Sequence, residues 1–317
     1  MGGRANDDAF WRDEWQTGDA ATGSRVVPRL LSSAPPVQVR RVQYGPAGQH
    51  FAELRLPTAE SARSRARGGS SPVAVFVHGG FWKSEWALDL ENAMADDLAR
   101  RGWASWNIEY RRVGCKANNY VAQDGAGWPG TFQDVATALD KLADVAAELE
   151  QTPAAGDGAP TPRLDLQRVV LIGHSAGGHL ALWLAQAHRQ EAVKLLGEAA
   201  PRRCRVKPLA VVGQAPVADL EKAFRQSLSD DGDAAAQLMG GSPESVLVDG
   251  RSAYEVASPA ALLPLGCAQL LVSGTDDTDV PIALTREYVE DVRRAGGDAV
   301  TLLEFPGAGH YELITPM

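Results

Sequence analysis

Short unbroken apolar runs alternate along this chain with stretches whose apolar residues recur every three to four positions. The run Val73-Ala74-Val75-Phe76-Val77 has no polar residue on either face, which predicts a strand covered on both sides, as in a parallel sheet. Further strands are predicted over 103–108, 167–172, 208–214, 269–274 and 299–305. Helical spacing appears over 86–101, through Leu90, Met94 and Leu98, and again over 131–149 and 282–295. The segment from Ala176 is apolar on most sides (Leu180, Leu182, Trp183, Leu184), as a central buried helix would be. Earlier, 37–44 and 50–56 flank a turn containing Gly45-Pro46 and predict an antiparallel strand pair.

Strands alternating with helices call for an α/β architecture, a mostly parallel sheet with helices on both faces. Residues 37–317 read as one such domain, preceded by a polar extension over 1–36. Within that extension Trp11 and Trp15, four apart, predict one face of a short helix that packs over the body or lines a pocket entrance, packing being the commoner use. The segment 58–71 is an exposed loop by composition, and 151–164 is a Pro/Gly-rich one. The stretch 215–266 is longer and less regular than its neighbours, and is expected to be either a small cap over the site or a plain helical insertion.

Composition narrows the function. At 317 residues, 44% hydrophobic and 22% charged, the chain can bury a large core. Its net charge of −9 argues against nucleic acid or an anionic membrane as partner. No apolar run approaches the ~18 residues of a membrane helix. Residues Met1 to Asp8 lack the basic-then-apolar order of a secretory signal, and Asn6 breaks the N-myristoylation pattern, so a cytoplasmic setting is expected. Cys115, Cys204 and Cys267 are too scattered for a disulfide framework or zinc site. No metal or cofactor motif is present: neither HExxH, nor a Walker loop, nor a dinucleotide fingerprint.

The candidate chemistry centres on Gly173-His174-Ser175-Ala176-Gly177, a G-x-S-x-G directly after a predicted strand and before a predicted helix. That setting puts Ser175 on the sharp strand-to-helix turn of a nucleophile elbow, where glycines allow the turn and leave Oγ exposed. A serine hydroxyl is a weak nucleophile near neutral pH and requires a base. Of six histidines, His174 points away as the serine's neighbour, His179 lies one turn into the helix and His188 near its far end, His50 belongs to an early strand, and His78 opens a glycine turn. His310, after the final predicted strand, remains, and the chain order serine, acid, histidine agrees with it. The acid must lie between them at a strand end, and Asp276, Asp277 and Asp279 all qualify by position. The turn His78-Gly79-Gly80-Phe81-Trp82 frees backbone N–H groups which, with that of Ala176, would hold an oxyanion.

These motifs together resemble the α/β-hydrolase fold, within it the esterase and kynurenine formamidase-like group, which carries H-G-G-[FYA]-W and G-H-S-A-G-G-H. The resemblance extends to Tyr44-Gly45 with Gln49, Asn107-Ile108-Glu109-Tyr110-Arg111, Gly127-Trp128-Pro129-Gly130 and the G-x-x-D-x-x-V-P run from Gly274, spanning roughly 42–314. It implies Asp277 as the acid and Gly80, Phe81 and Ala176 as oxyanion donors. Two departures stand out: Ser273 replaces a histidine before Gly274-Thr275, and Met317 falls where members continue into a closing helix.

The expected activity is hydrolysis of small carboxylic esters or N-formyl amides through an acyl-enzyme. Arylformamidase action on N-formylkynurenine is the narrower alternative, and a non-catalytic binding protein on the same fold is the alternative of another class. Trp82, Trp86, Tyr120 and Trp128 fall in loops or helix starts expected at the mouth, with Trp82, Tyr120 and Trp128 as candidate substrate contacts. The expected partner is a small ester or amide, and the sequence leaves a homodimer open.

Overall fold

The computed structural model describes residues 37–58, 61, 70–114, 121–152, 163–187, 204–229 and 231–315. The expectations for Trp11, Trp15, Tyr120 and His188, and for most of the 58–71 and 151–164 loops, lie outside these residues.

Strands β1 Val39–Gln43, β2 Phe51–Arg55, β3 Ser70–Val77, β4 Ala104–Ile108, β5 Arg163–His174, β6 Ala210–Gln214, β9 Ala268–Gly274 and β10 Val300–Phe305 form one sheet. Its order is β1-β2-β4-β3-β5-β6-β9-β10. β2 runs antiparallel to β1, as the early turn predicts, and also to β4, and the remaining neighbours are parallel. The two-residue strands β7 Leu247–Val248 and β8 Arg251–Ser252 pair separately.

Alternation along β3 shows how both faces are covered. Val73, Val75 and Val77 join the main core with residues of α2 Gly130–Gln151 and α3 Ala176–Leu184, whereas Ala74 and Phe76 meet Ala95, Met94 and Leu98 of α1 Asn92–Arg100. Helix α3 is buried along its whole length, as its all-round apolar sequence requires.

The elements depart from the sequence expectation in two places. The helix predicted over 86–101 opens as a 3₁₀ turn, Leu88–Glu91, before α1 begins. Side chains capture its first turn: Glu109 Oε2 accepts from Leu88 N–H at 3.2 Å, and Asn107 Nδ2 donates to the Leu88 carbonyl at 2.8 Å. β3 and β5 also begin earlier than predicted, because Ser70-Ser71-Pro72 pairs with Arg163-Leu164-Asp165 ahead of a register shift. Arg168 pins that extension, reaching the Ser70 carbonyl and the Asp165 carboxylate.

The 215–266 stretch contains three short helices, α4 Leu220–Arg225, α5 Ala234–Met239 and α6 Ala253–Ala257. Leu220, Leu238 and Tyr254 are buried in the main core, and the Tyr254 hydroxyl donates to the Gly241 carbonyl at 2.7 Å. Its helices are therefore packed into the body. Helix α7 Ile282–Ala295 packs on β9 and β10, and a 3₁₀ turn, Tyr311–Leu313, follows β10.

Candidate active site

Ser175 stands between β5 and α3 with φ 56° and ψ −120°, a conformation that costs a residue with a β-carbon about 1–3 kcal/mol. The surroundings enforce it. Ser175 N–H donates to the Gln214 carbonyl on β6 at 2.8 Å, and the Ser175 carbonyl accepts from His179 N–H at 3.0 Å. A Cβ on Gly177 would overlap the carbonyls of Val77 and His78, and one on Gly173 would overlap Gly177, so glycine alone fits on either side of the serine. Ser175 is 1% exposed, at the carboxyl ends of the parallel strands, where open α/β sheets place their sites.

The loop after β10 brings His310 to Asp277, in the loop after β9. His310 Nδ1 lies 2.7 Å from Asp277 Oδ2, with both side chains buried. Asp277 Oδ1 accepts from the N–H groups of Asp279 at 3.0 Å and Val280 at 2.8 Å, so its carboxylate is held by its own loop. Asp276, one residue earlier, is exposed and accepts from the Thr275 hydroxyl. Three carboxylates equivalent by position are thus separated by burial, and it is Asp277 that meets His310. Because a carboxylate only accepts, the neutral form of this ring has its proton on Nδ1 and its acceptor at Nε2.

The other described histidines each have partners of their own. His174 Nε2 lies 3.0 Å from the His310 carbonyl, and burial, followed by the neighbouring His310, holds its pKa well below the ordinary value. His179 Nε2 donates to the Ala257 carbonyl at 2.9 Å, and burial pushes its pKa down to about 4. His50 sits 3.0 Å from Asp134, and His78 sits 3.2 Å from Glu109.

The turn after β3 contains three consecutive left-handed residues, Gly80 (φ 100°), Phe81 (φ 48°) and Trp82 (φ 57°). Lys83 N–H closes it onto the Gly80 carbonyl at 2.9 Å, and Val113 N–H reaches the Trp82 carbonyl at 2.9 Å. A Cβ at Gly79 would stand 3.2 Å from Ser175 Cβ, so the turn lies directly against the serine. Ala176 follows Ser175 as the first residue of α3.

Under this turn is a buried polar cluster that residue-type reasoning did not single out. His78 stacks on Tyr110, with centroids 4.2 Å apart, and the Tyr110 hydroxyl donates to the His78 carbonyl at 2.7 Å. His78 Nδ1 lies 2.9 Å from the Gly79 carbonyl. Burial opposes the charge on Glu109, but Arg112 at 3.3 Å and His78 outweigh it, and the carboxyl stays below its ordinary pKa. The available signal was Glu109-Tyr110-Arg111-Arg112 directly after an apolar strand.

The described residues of the expected aromatic mouth pack as follows. Trp82 is 1% exposed and meets His179 edge-on at 5.2 Å, so it packs beneath the turn. Trp82 also has a positive φ, which sequence spacing does not encode. Trp128 is half-buried and edge-on to Phe132, while Trp86 stacks on Tyr311, the residue after His310. Among the described residues no group of three His, Cys, Asp or Glu could hold a metal, and no helix is long and apolar enough to cross a membrane.

The sequence profile of the BD-FAE family matches residues 62–291. The chain is 26% identical over 243 residues to esterase LipC of Mycobacterium tuberculosis strain H37Rv, covering 76% of this chain and 53% of that protein. It is 23% identical over 178 residues to probable carboxylesterase 4, mitochondrial, of Arabidopsis thaliana, covering 55% and 42%. The chain thus spans about half the length of these curated relatives. Esterase B from Lactobacillus rhamnosis superposes with a TM-score of 0.66 at 19% identity, over 97% of this chain and 86% of that one. A carbohydrate esterase from gut microbiota gives 0.61 at 18% identity, over 86% and 88%. These likenesses show the α/β-hydrolase fold.

Proposed function

This chain belongs to the BD-FAE family, and from that premise we propose that it is a serine esterase that cleaves small carboxylic esters through an acyl-enzyme. The observation that carries this reading is the buried 2.7 Å contact of His310 Nδ1 with Asp277, at the same carboxyl ends of the sheet as the strained elbow of Ser175. Esterase names among the relatives support an ester over an amide as the substrate.

In this mechanism Nε2 of His310 accepts the Ser175 hydroxyl proton as Oγ attacks the ester carbonyl. Asp277 keeps the imidazole in the Nδ1–H tautomer and stabilises the imidazolium that forms. The N–H groups of Gly80, Phe81 and Ala176 receive the oxyanion, and each such donor supplies about 2.7–4 kcal/mol of transition-state stabilisation. His310 then returns the proton to the departing alcohol. Water, deprotonated by the same nitrogen, releases the acid and regenerates Ser175. Trp128 and Tyr120 are proposed to border the substrate, and Trp82 to support the turn from below.

The test is a panel of p-nitrophenyl acetate, p-nitrophenyl butyrate and N-formylkynurenine, with wild type beside Ser175→Ala. Ester turnover in the wild type that disappears in the variant is expected. A higher kcat/KM on N-formylkynurenine than on either ester would replace the esterase reading by the arylformamidase one. Absence of fluorophosphonate labelling at Ser175 would leave a non-catalytic binding protein.

A further inference from the structure

The oxyanion turn is joined to the 215–266 insertion through a buried cation. Lys83 follows the three left-handed residues Gly80, Phe81 and Trp82, and its side chain is 5% exposed. Its Nζ lies 2.9 Å from Asp231 Oδ2 and 3.6 Å from Asp233 Oδ1, both on the insertion. Asp233 precedes α5, and its Oδ2 accepts from Gln237 Nε2 at 2.6 Å, so one partner of Lys83 is tied into the helix. The opposite end of α5 is anchored as well, because Trp128 N–H donates to the Leu238 carbonyl at 2.7 Å.

Consecutive residues with positive φ persist only where the surroundings over-determine them. The main-chain bonds of Lys83 and Val113 hold the closing side of this turn. The Lys83 ammonium adds a tether to a separate part of the fold. Because the cation is desolvated, its carboxylate partners cannot be lost without a large penalty, and the geometry that satisfies it is correspondingly well defined.

We propose that Lys83 is a positioning residue: held by Asp231 and Asp233, it keeps the Gly80-Phe81 N–H groups aimed at the oxyanion, so that the insertion braces the catalytic turn. This rests on the serine esterase reading above. In this proposal the effect of Lys83 passes through the direction of two backbone N–H groups.

The test uses the full chain, p-nitrophenyl butyrate, a trifluoromethyl ketone that mimics the tetrahedral intermediate, and butyrate as a ground-state competitor. Lys83→Met and the double variant Asp231→Asn/Asp233→Asn are expected to lower kcat about tenfold or more with KM within about twofold, part of what complete loss of an oxyanion donor costs. Affinity for the ketone should fall by the same factor while butyrate inhibition is unchanged, and Lys83→Arg should recover most of the rate. If the double variant, which leaves a buried ammonium unpaired, does not fold, Lys83→Met decides the matter, since it removes the cation and leaves two carboxylates about one-third exposed, at 33% and 31%. Folded variants with wild-type kcat and ketone affinity would overturn the proposal while leaving the esterase reading intact. A wild type no more active than Ser175→Ala would overturn both.

Discussion

His174, the residue before the candidate nucleophile, donates its Nε2–H to the main-chain carbonyl of His310 across 3.0 Å. The elbow therefore holds the backbone of the candidate base directly, with ring centroids 4.4 Å apart. This bond needs a neutral imidazole with its proton on Nε2, and burial depresses the His174 pKa in accord with that. An unfolded His174 takes up a proton near pH 6.5 whereas the folded one resists, so stability is lost as pH falls below 6.5. This single group contributes at most about 1.4 kcal/mol per pH unit. His174→Asn, which keeps an N–H donor, should make the acid side of a stability-against-pH curve shallower in chemical denaturation.

Asp276 and Asp277 differ by one position and should differ widely in effect. Asp277→Asn replaces the acceptor that sets the His310 tautomer, and kcat on p-nitrophenyl butyrate should fall ~10⁴-fold, as when a triad acid is amidated. Asp276→Asn alters an exposed side chain bonded to Thr275 and should stay within about twofold of wild type. Equal effects of the two substitutions would refute the assignment of the acid.

Gly80 has no room for a side chain. Its φ is 100°, and a Cβ there would enter the Trp86 side chain, so Gly80→Ala must either push Trp86 off Tyr311 or rotate the turn. A fall of ~10²-fold or more in kcat is expected, comparable to removing one oxyanion donor. KM should change little, and steady-state kinetics would separate the two.

His78 and Glu109 bear on stability more than on chemistry. Glu109→Gln would leave Arg112 and His78 facing a neutral partner in a fully buried cluster, and breaking such a pair costs about 3–5 kcal/mol. A drop of that size in urea-denaturation free energy is expected. A change below 1 kcal/mol would mean that the cluster is hydrated or rearranges.

Glu91 is fully buried, and among the described residues neither carboxylate oxygen has a hydrogen-bond partner. Burial pushes its pKa up from 4.5 to about 8. Between these values the folded chain keeps a proton that the unfolded chain releases, so stability falls as pH rises from 4.5 to about 8. At pH 7 the loss amounts to about 3 kcal/mol relative to acid. Glu91→Gln should abolish this slope, read as melting temperature against pH, and a slope unchanged by the substitution would rule out Glu91 as its source.

The sequence by itself determined the alternating α/β plan, the antiparallel lead-in strands, the elbow at Ser175 and the placing of His310 after the last strand. Each is carried by short-range information: unbroken apolar runs, helical spacing, and glycines where a backbone must turn sharply. Starts of β3 and β5 were not legible, because Ser70 and Arg163 lie in polar, Pro/Gly/Ser-rich segments whose pairing depends on a partner strand far away in sequence. Nor did spacing by itself separate Asp276, Asp277 and Asp279, since all three suit a strand end. Burial and the approach of His310, 33 residues further on, distinguish them. The inward turn of Trp82, the Glu109 cluster and the Lys83 contact with Asp231 follow the same rule. They are meetings between segments 31 to 148 residues apart, and only the folded chain brings them into contact.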